Sequence, residues 1–157
     1  MEEIKSRGVA AAPSTLSLEN AVLAATAAIR DKFRETVGSE PIACKIGDNI
    51  FAIKTYGAGK YLTVGQFGIA PMSGCCGMVV FFHASTTDGF RGKGLGRLFL
   101  QVREIAAKLA GYTVAQATVL TTNKSERKLL QDAGWKENHE FTNKRTSNKV
   151  VVCLKEL

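Results

Sequence analysis

The 157-residue chain predicts one α/β domain built on a mixed, mostly antiparallel sheet with helices on both faces. Three observations carry that prediction. An apolar stripe recurs at helical spacing between Leu18 and Phe33. A run of five apolar residues, Met78-Val79-Val80-Phe81-Phe82, reads as a central strand. The glycine-rich run Arg91-Gly92-Lys93-Gly94-Leu95-Gly96 then joins this strand to a second amphipathic stretch. The length is that of a single domain with a proper core.

Taken in order, residues 1–15 read as a loosely held lead-in with Pro13 as a stop. Ser17 caps a helix to about Val37, with Leu18, Val22, Ala25, Ile29 and Phe33 on one face and Gly38 ending it. Residues 42–46 and 50–55 flank Gly47-Asp48-Asn49 and predict a hairpin. Residues 61–69 form a further strand. Residues 78–86 form the central one, apolar on both faces and therefore covered by helices. Leu98, Val102, Ile105 and Leu109 make a helix face that ends near Gly111. Residues 114–120 are a buried strand, 125–133 a short helix, and 149–154 a final strand near the basic loop Lys144-Arg145. His139 and Glu140 read as exposed turn or strand residues. There is no internal repeat, low-complexity tract or domain linker.

Composition is that of an ordinary globular protein, with 45% hydrophobic and 22% charged residues. No stretch has the roughly 18 to 20 apolar residues needed to span a bilayer, so no membrane association is expected. Met1-Glu2-Glu3 lacks the basic start of a secretory signal. The four cysteines (Cys44, Cys75, Cys76, Cys153) have no metal-type spacing, and no metal is expected. Adjacent Cys75 and Cys76 are a poor disulfide pair, with Cα atoms only about 3.8 Å apart. Reduced thiols and a cytoplasmic location follow. Charge is uneven: residues 1–90 hold eight basic and eight acidic side chains, residues 91–157 thirteen and six. The net charge of +7 therefore lies in the second half, which suits a phosphate-bearing ligand or nucleic acid equally.

The glycine run says more. Glycines at alternate positions let backbone N–H groups converge on an anion, and the helix that follows adds its positive end. Arg91, Lys93 and Arg97 supply charge around Gly92, Gly94, Leu95 and Gly96. The plain alternative is a tight strand-to-helix connection. The dinucleotide fingerprint is excluded because Arg97 stands where its third glycine belongs. The nucleoside-triphosphate loop is excluded because Gly94 follows Gly92-Lys93 where Ser or Thr is required. What remains, Arg-x-x-Gly-x-Gly, resembles the acetyl-coenzyme A loop of the GCN5-related N-acetyltransferase (GNAT) family. A second match supports it: Asn123 followed, eleven and twelve residues on, by Gly134-Trp135, with Leu129 at the usual apolar position. The resemblance covers residues 78–157. A first strand before the opening helix, which the family has, is not evident.

The resemblance implies a GNAT-like domain whose fourth and fifth strands splay where coenzyme A inserts. It implies acetyl transfer from acetyl-coenzyme A to the amine of a small molecule, peptide or protein, by direct attack within a ternary complex. Backbone groups of Ala84, Ser85 and Thr86 would hold the pantetheine arm and polarise the thioester carbonyl, residues 92–96 the pyrophosphate, and Asn123 the arm again. Many family members protonate the departing thiolate with a Tyr seven residues after that Asn; here the position is Leu130, which leaves water or a relocated donor such as Tyr112. By type and place, His83 is the candidate base, its plain alternative being a satisfied core histidine. Asp88 either orients the loop or deprotonates an acceptor. Glu126, at a usually small position, reads as a solvated partner for nearby cations, and Trp135 as packing.

Two other classes compete. One is a GNAT-fold protein that binds coenzyme A or a protein partner without catalysis, favoured by Leu130. The other is a basic nucleic-acid-binding domain, which requires exposed aromatics among the cations; Phe90, Phe99, Tyr112 and Trp135 instead read as turn or core. A homodimer is compatible with all of these.

Overall fold

The computed structural model describes residues 15–157, so the lead-in through residue 14 and the stop at Pro13 lie outside the described residues. Ser17 caps α1 (Leu18–Ala28), its Oγ accepting from the Asn20 N–H at 3.2 Å. The predicted single helix is two. The Thr26 hydroxyl donates to the Val22 carbonyl, a back-bond that bends helices, and Ile29 leaves helical geometry before α2 (Arg30–Val37). Gly38, left-handed at φ 91°, ends α2 as expected.

The sheet begins as a meander. Strands β1 (Ile42–Gly47) and β2 (Ile50–Gly57) pair antiparallel, with Gly47 opposite Ile50 across the predicted hairpin turn. Strand β3 (Lys60–Pro71) pairs antiparallel with β2 and with β4 (Met78–Thr86). A short 3-10 turn (Asp88–Phe90) and the glycine run lead into α3 (Leu95–Leu109). The chain then runs through β5 (Val114–Leu120), α4 (Lys124–Asp132), β6 (Lys136–Thr142) and β7 (Lys149–Glu156). Strand order is β1-β2-β3-β4-β5-β7-β6, and β4–β5 is its parallel pair. Among the described residues no strand precedes α1; the edge strand β1 instead follows α2 and joins the sheet by its hairpin.

One apolar cluster holds the domain together, combining Val22, Ala25 and Phe33, the sheet residues Ile53, Phe67, Ile69, Val79 and Phe81, and Phe99, Val102 and Ala106 of α3. Strand β4 is not buried evenly on both faces. Val79 and Phe81 are buried, whereas Met78, Val80 and Phe82 are half-buried, and Phe82 lies across Gly68 of β3, where no Cβ would fit. Trp135 packs tilted against Phe81, with ring centroids 5.4 Å apart, and donates its indole N–H to Glu104 at 2.8 Å. The other Glu104 oxygen takes Lys155 Nζ at 2.9 Å, so one carboxylate of α3 ties together β7 and the turn after α4. Glu104→Ala leaves a buried indole N–H without its acceptor and the Lys155 ammonium without its counter-ion, bonded to the Ala133 carbonyl alone. It is expected to lower unfolding free energy by about 3 kcal/mol, read from the urea midpoint.

Candidate functional site

Strands β4 and β5 pair only from Met78–Val114 to Phe81–Ala117. Beyond Phe81 they part, β4 continuing to Thr86 and β5 to Leu120. The cause lies in β4. Phe82 pairs with Gly68 and Ser85 with Gln66, so β4 carries an extra residue, and His83 adopts φ 50°. Such a bulge bends its strand, here away from β5.

The opening leads into a cavity of about 270 Å³. Ala84, Ser85 and Thr86 form one wall, Gly96, Phe99 and Arg103 of α3 another, and Asn123, Ser125, Glu126 and Leu129 of α4 and its cap the third. A neighbouring recess of about 340 Å³ lies on the β3 side of β4 and includes Thr63, Gln66, Asp88 and Arg91. A larger cavity, about 660 Å³, is elsewhere, against β5, β6 and β7 around Val114, Lys136 and Leu154. It holds none of the glycine run, and its size alone gives it no chemistry.

In the turn before α3, Gly92 and Gly94 are left-handed at φ 76° and 78°, with open space where side chains would be. Among the described residues, no main-chain carbonyl accepts from the N–H groups of residues 92–96. Those donors sit at the N-terminus of α3, where a helix presents free N–H groups and partial positive charge. The local cations are divided. Arg91 pairs with Asp88 at 3.1 Å and donates Nε to the Thr86 carbonyl at 3.1 Å, so Asp88 orients the turn. Lys93 is exposed, its Nζ 5.9 Å from the Phe90 ring centroid. Arg97 reaches the other way, to Asp132 at the end of α4 (3.7 Å). Leu95 is core, and only its backbone faces the turn.

The expected site residues thus fall into three groups. Ala84, Ser85, Thr86, Gly96 and Asn123 share the cavity, Arg91 lines the neighbouring recess, and Gly92, Lys93 and Gly94 form the exposed turn that leads into α3. His83 lines neither recess: it is exposed at the bulge, its ring edge-on to Phe82 at 5.2 Å, and so it is not a core histidine. Asn123 caps α4, its Oδ1 accepting from the Glu126 N–H at 3.2 Å and its Nδ2 donating to Glu126 Oε2 at 3.0 Å. Tyr112 is excluded as a relocated proton donor. It precedes β5, whereas the cavity opens at the far ends of β4 and β5, and it lines a separate hollow with Pro71 and Cys75. Leu130 is core at 3% exposure.

Two groups escaped sequence reasoning. Arg103, 5% exposed, is a cation on the apolar face of α3, one turn after Phe99. Its guanidinium lies over the rings of Phe81 (5.0 Å) and Phe67 (5.8 Å). Burial lowers its pKa to about 10, against the opposing pull of Glu126 and Glu104. Glu126 is not a solvated surface partner, because it faces the cavity. Burial pushes its carboxyl above the usual range, and Arg103 pulls the other way.

Solved structures share this architecture. Ard1 from Thermoplasma volcanium matches with a TM-score of 0.59 at 12% identity, over 92% of this chain and 95% of its own. The IAA acetyltransferase from Bacillus cereus ATCC 14579 matches at 0.56 and 13%, over 92% and 97%. Arabidopsis thaliana Naa50, solved with the bisubstrate analogue CoA-Ac-MVNAL, matches at 0.55 and 18%, over 71% and 74%. The chain has the GNAT fold.

No family model matches the sequence, and no curated protein does. The parting of β4 and β5 is accordingly the splay expected of a GNAT-like chain. In this GNAT-fold chain, Phe99 and Trp135 are buried and Phe90 and Tyr112 half-buried. No described helix is long and apolar enough to cross a membrane, and no described cluster of acidic, Cys or His residues is arranged to hold a metal.

Proposed function

We propose that the chain is an N-acetyltransferase that holds acetyl-coenzyme A in the cleft between β4 and β5 and delivers the acetyl group to an amine by direct attack within a ternary complex. The observation that carries this reading is the cleft itself: two strands that part after four pairs, with unbonded N–H groups of residues 92–96 in the turn into α3. Those donors suit a diphosphate. The edge of β4 at Ala84–Thr86 and the amide of Asn123 suit the polar arm behind it. The binding of a coenzyme A analogue by the structurally similar Naa50 supports the same assignment. When bound, the cofactor supplies an activated acyl group on a thioester.

The residues of this chain contribute position first. Holding two reactants together is worth about 7 to 11 kcal/mol. His83 stands exposed on the bulge where the β4–β5 pairing ends, and its imidazole is the group that takes a proton from an approaching amine. The acceptor is an amine of a small molecule, peptide or protein. Leu130 gives the competing reading, a binder without turnover, because no Tyr or Cys lines the cavity.

Excess acetyl-coenzyme A, at about 100 times its dissociation constant, adds about 2.7 kcal/mol to folding and raises the melting temperature by roughly 5 to 10 °C. Thiol release with a panel of polyamines, amino acids and peptides then separates enzyme from binder. His83→Ala is expected to lower turnover by about a hundredfold while leaving cofactor affinity unchanged. Undiminished turnover removes His83 as the base, and an unmoved melting temperature removes the cofactor.

A further inference from the structure

Inside the cleft a donor-only group and an acceptor-bearing group face one another without closing. Arg103 is about nineteen-twentieths buried, yet its side-chain hydrogen bond among the described residues is one long contact, Nε to the Phe99 carbonyl at 3.4 Å. Its forked terminal nitrogens are left to the cavity. Glu126 lines the α4 wall of the same cavity, fixed by Asn123, and among the described residues no hydrogen bond or ion pair joins it to Arg103. The guanidinium nitrogens stay open to solvent in the cleft, and a ligand that displaces that solvent must offer them an acceptor. The natural occupant of the gap therefore offers an acceptor to Arg103 and a donor to Glu126.

We infer that Arg103 and Glu126 grip a secondary amide of the coenzyme A arm between them, the guanidinium donating to its carbonyl oxygen and the Glu126 carboxylate accepting from its N–H. This rests on the cleft being the coenzyme A site, and it deepens that reading by naming two side chains the motifs do not include. Several properties of the pair favour an amide over an anion. The two charges cancel, so the cavity as a whole repels neither sign. A second anion would meet Glu126, and a second cation Arg103. An amide satisfies both walls at once and stays neutral. The aromatic faces of Phe67 and Phe81 hold the guanidinium in place, which limits the entropy lost when the ligand arrives.

The test compares two ligands on three proteins by calorimetry: coenzyme A, and adenosine 3′,5′-bisphosphate, which carries the nucleotide end without the arm. Glu126→Ala is expected to weaken coenzyme A binding by about tenfold and to leave the bisphosphate affinity unchanged. Glu126→Gln, which keeps an acceptor oxygen in place, is expected to stay within about threefold of wild type for both ligands. Equal coenzyme A binding by wild type and Glu126→Ala overturns the grip alone. So does a parallel loss of both ligands in that variant, which would mark a structural role. If the wild-type protein binds neither ligand, the reading of the cleft itself falls.

Discussion

Gly65→Ala is expected to destabilise the protein by about 3 kcal/mol and to lower its melting temperature by roughly 6 to 12 °C. Gly65 lies on β3 opposite Thr86, where the backbone runs beneath α3. A Cβ built there falls inside contact distance of the Phe99 ring and 2.7 Å from the Ser85 carbonyl oxygen. Phe99 is core, and the Ser85 carbonyl belongs to the strand that walls the cleft, so neither gives way cheaply. A melting temperature within two degrees of wild type would show that β4 shifts freely at this point. The same substitution at Gly89, which has nothing within 4 Å of its Cβ position and no left-handed φ, meets no such obstacle and isolates the packing effect.

The double substitution Arg91→Ala with Lys93→Ala is expected to weaken coenzyme A binding by about thirtyfold or more, with the melting temperature of the free protein unchanged. Both side chains are exposed, and Arg91 is tied only to exposed Asp88 and to one carbonyl, so neither contributes much to folding. A charge-assisted contact to phosphate is worth about 1.5 to 3 kcal/mol before screening. Raising salt from 0.05 to 0.5 M should weaken the wild type and narrow its advantage over the variant. An affinity that ignores both the substitution and the salt would place the diphosphate elsewhere.

Much of the architecture was legible because its signals are local. The glycine turn, the cap at Ser17, the hairpin around Asp48-Asn49 and the apolar run of β4 each announce themselves within a few residues, and each is present. The bend at Ile29 was not legible, because it follows from a side chain back-bonding inside an otherwise regular stripe. The burial of β4 was overestimated because an unbroken apolar run does not say which face finds cover. Phe82 shelters on Gly68 of the neighbouring strand, and that pairing is set by register. Around the cavity, the glycine turn was readable from spacing and the charged interior was not. Arg103 and Glu126 lie twenty-three positions apart and meet only through the docking of α4 against α3. Taken singly, each looks like an ordinary surface charge. Tyr112 failed as a donor for the complementary reason: nearness in sequence to β5 put it at the wrong end of that strand.

With four rungs between them, β4 and β5 divide the sheet into two panels hinged on a short seam. The seam stops where the main chain changes course at His83, one residue too many in β4. The width of the aperture is thus insulated from drift in the residues that line it. Those positions are free to be retuned for a different guest while the doorway stays the same size.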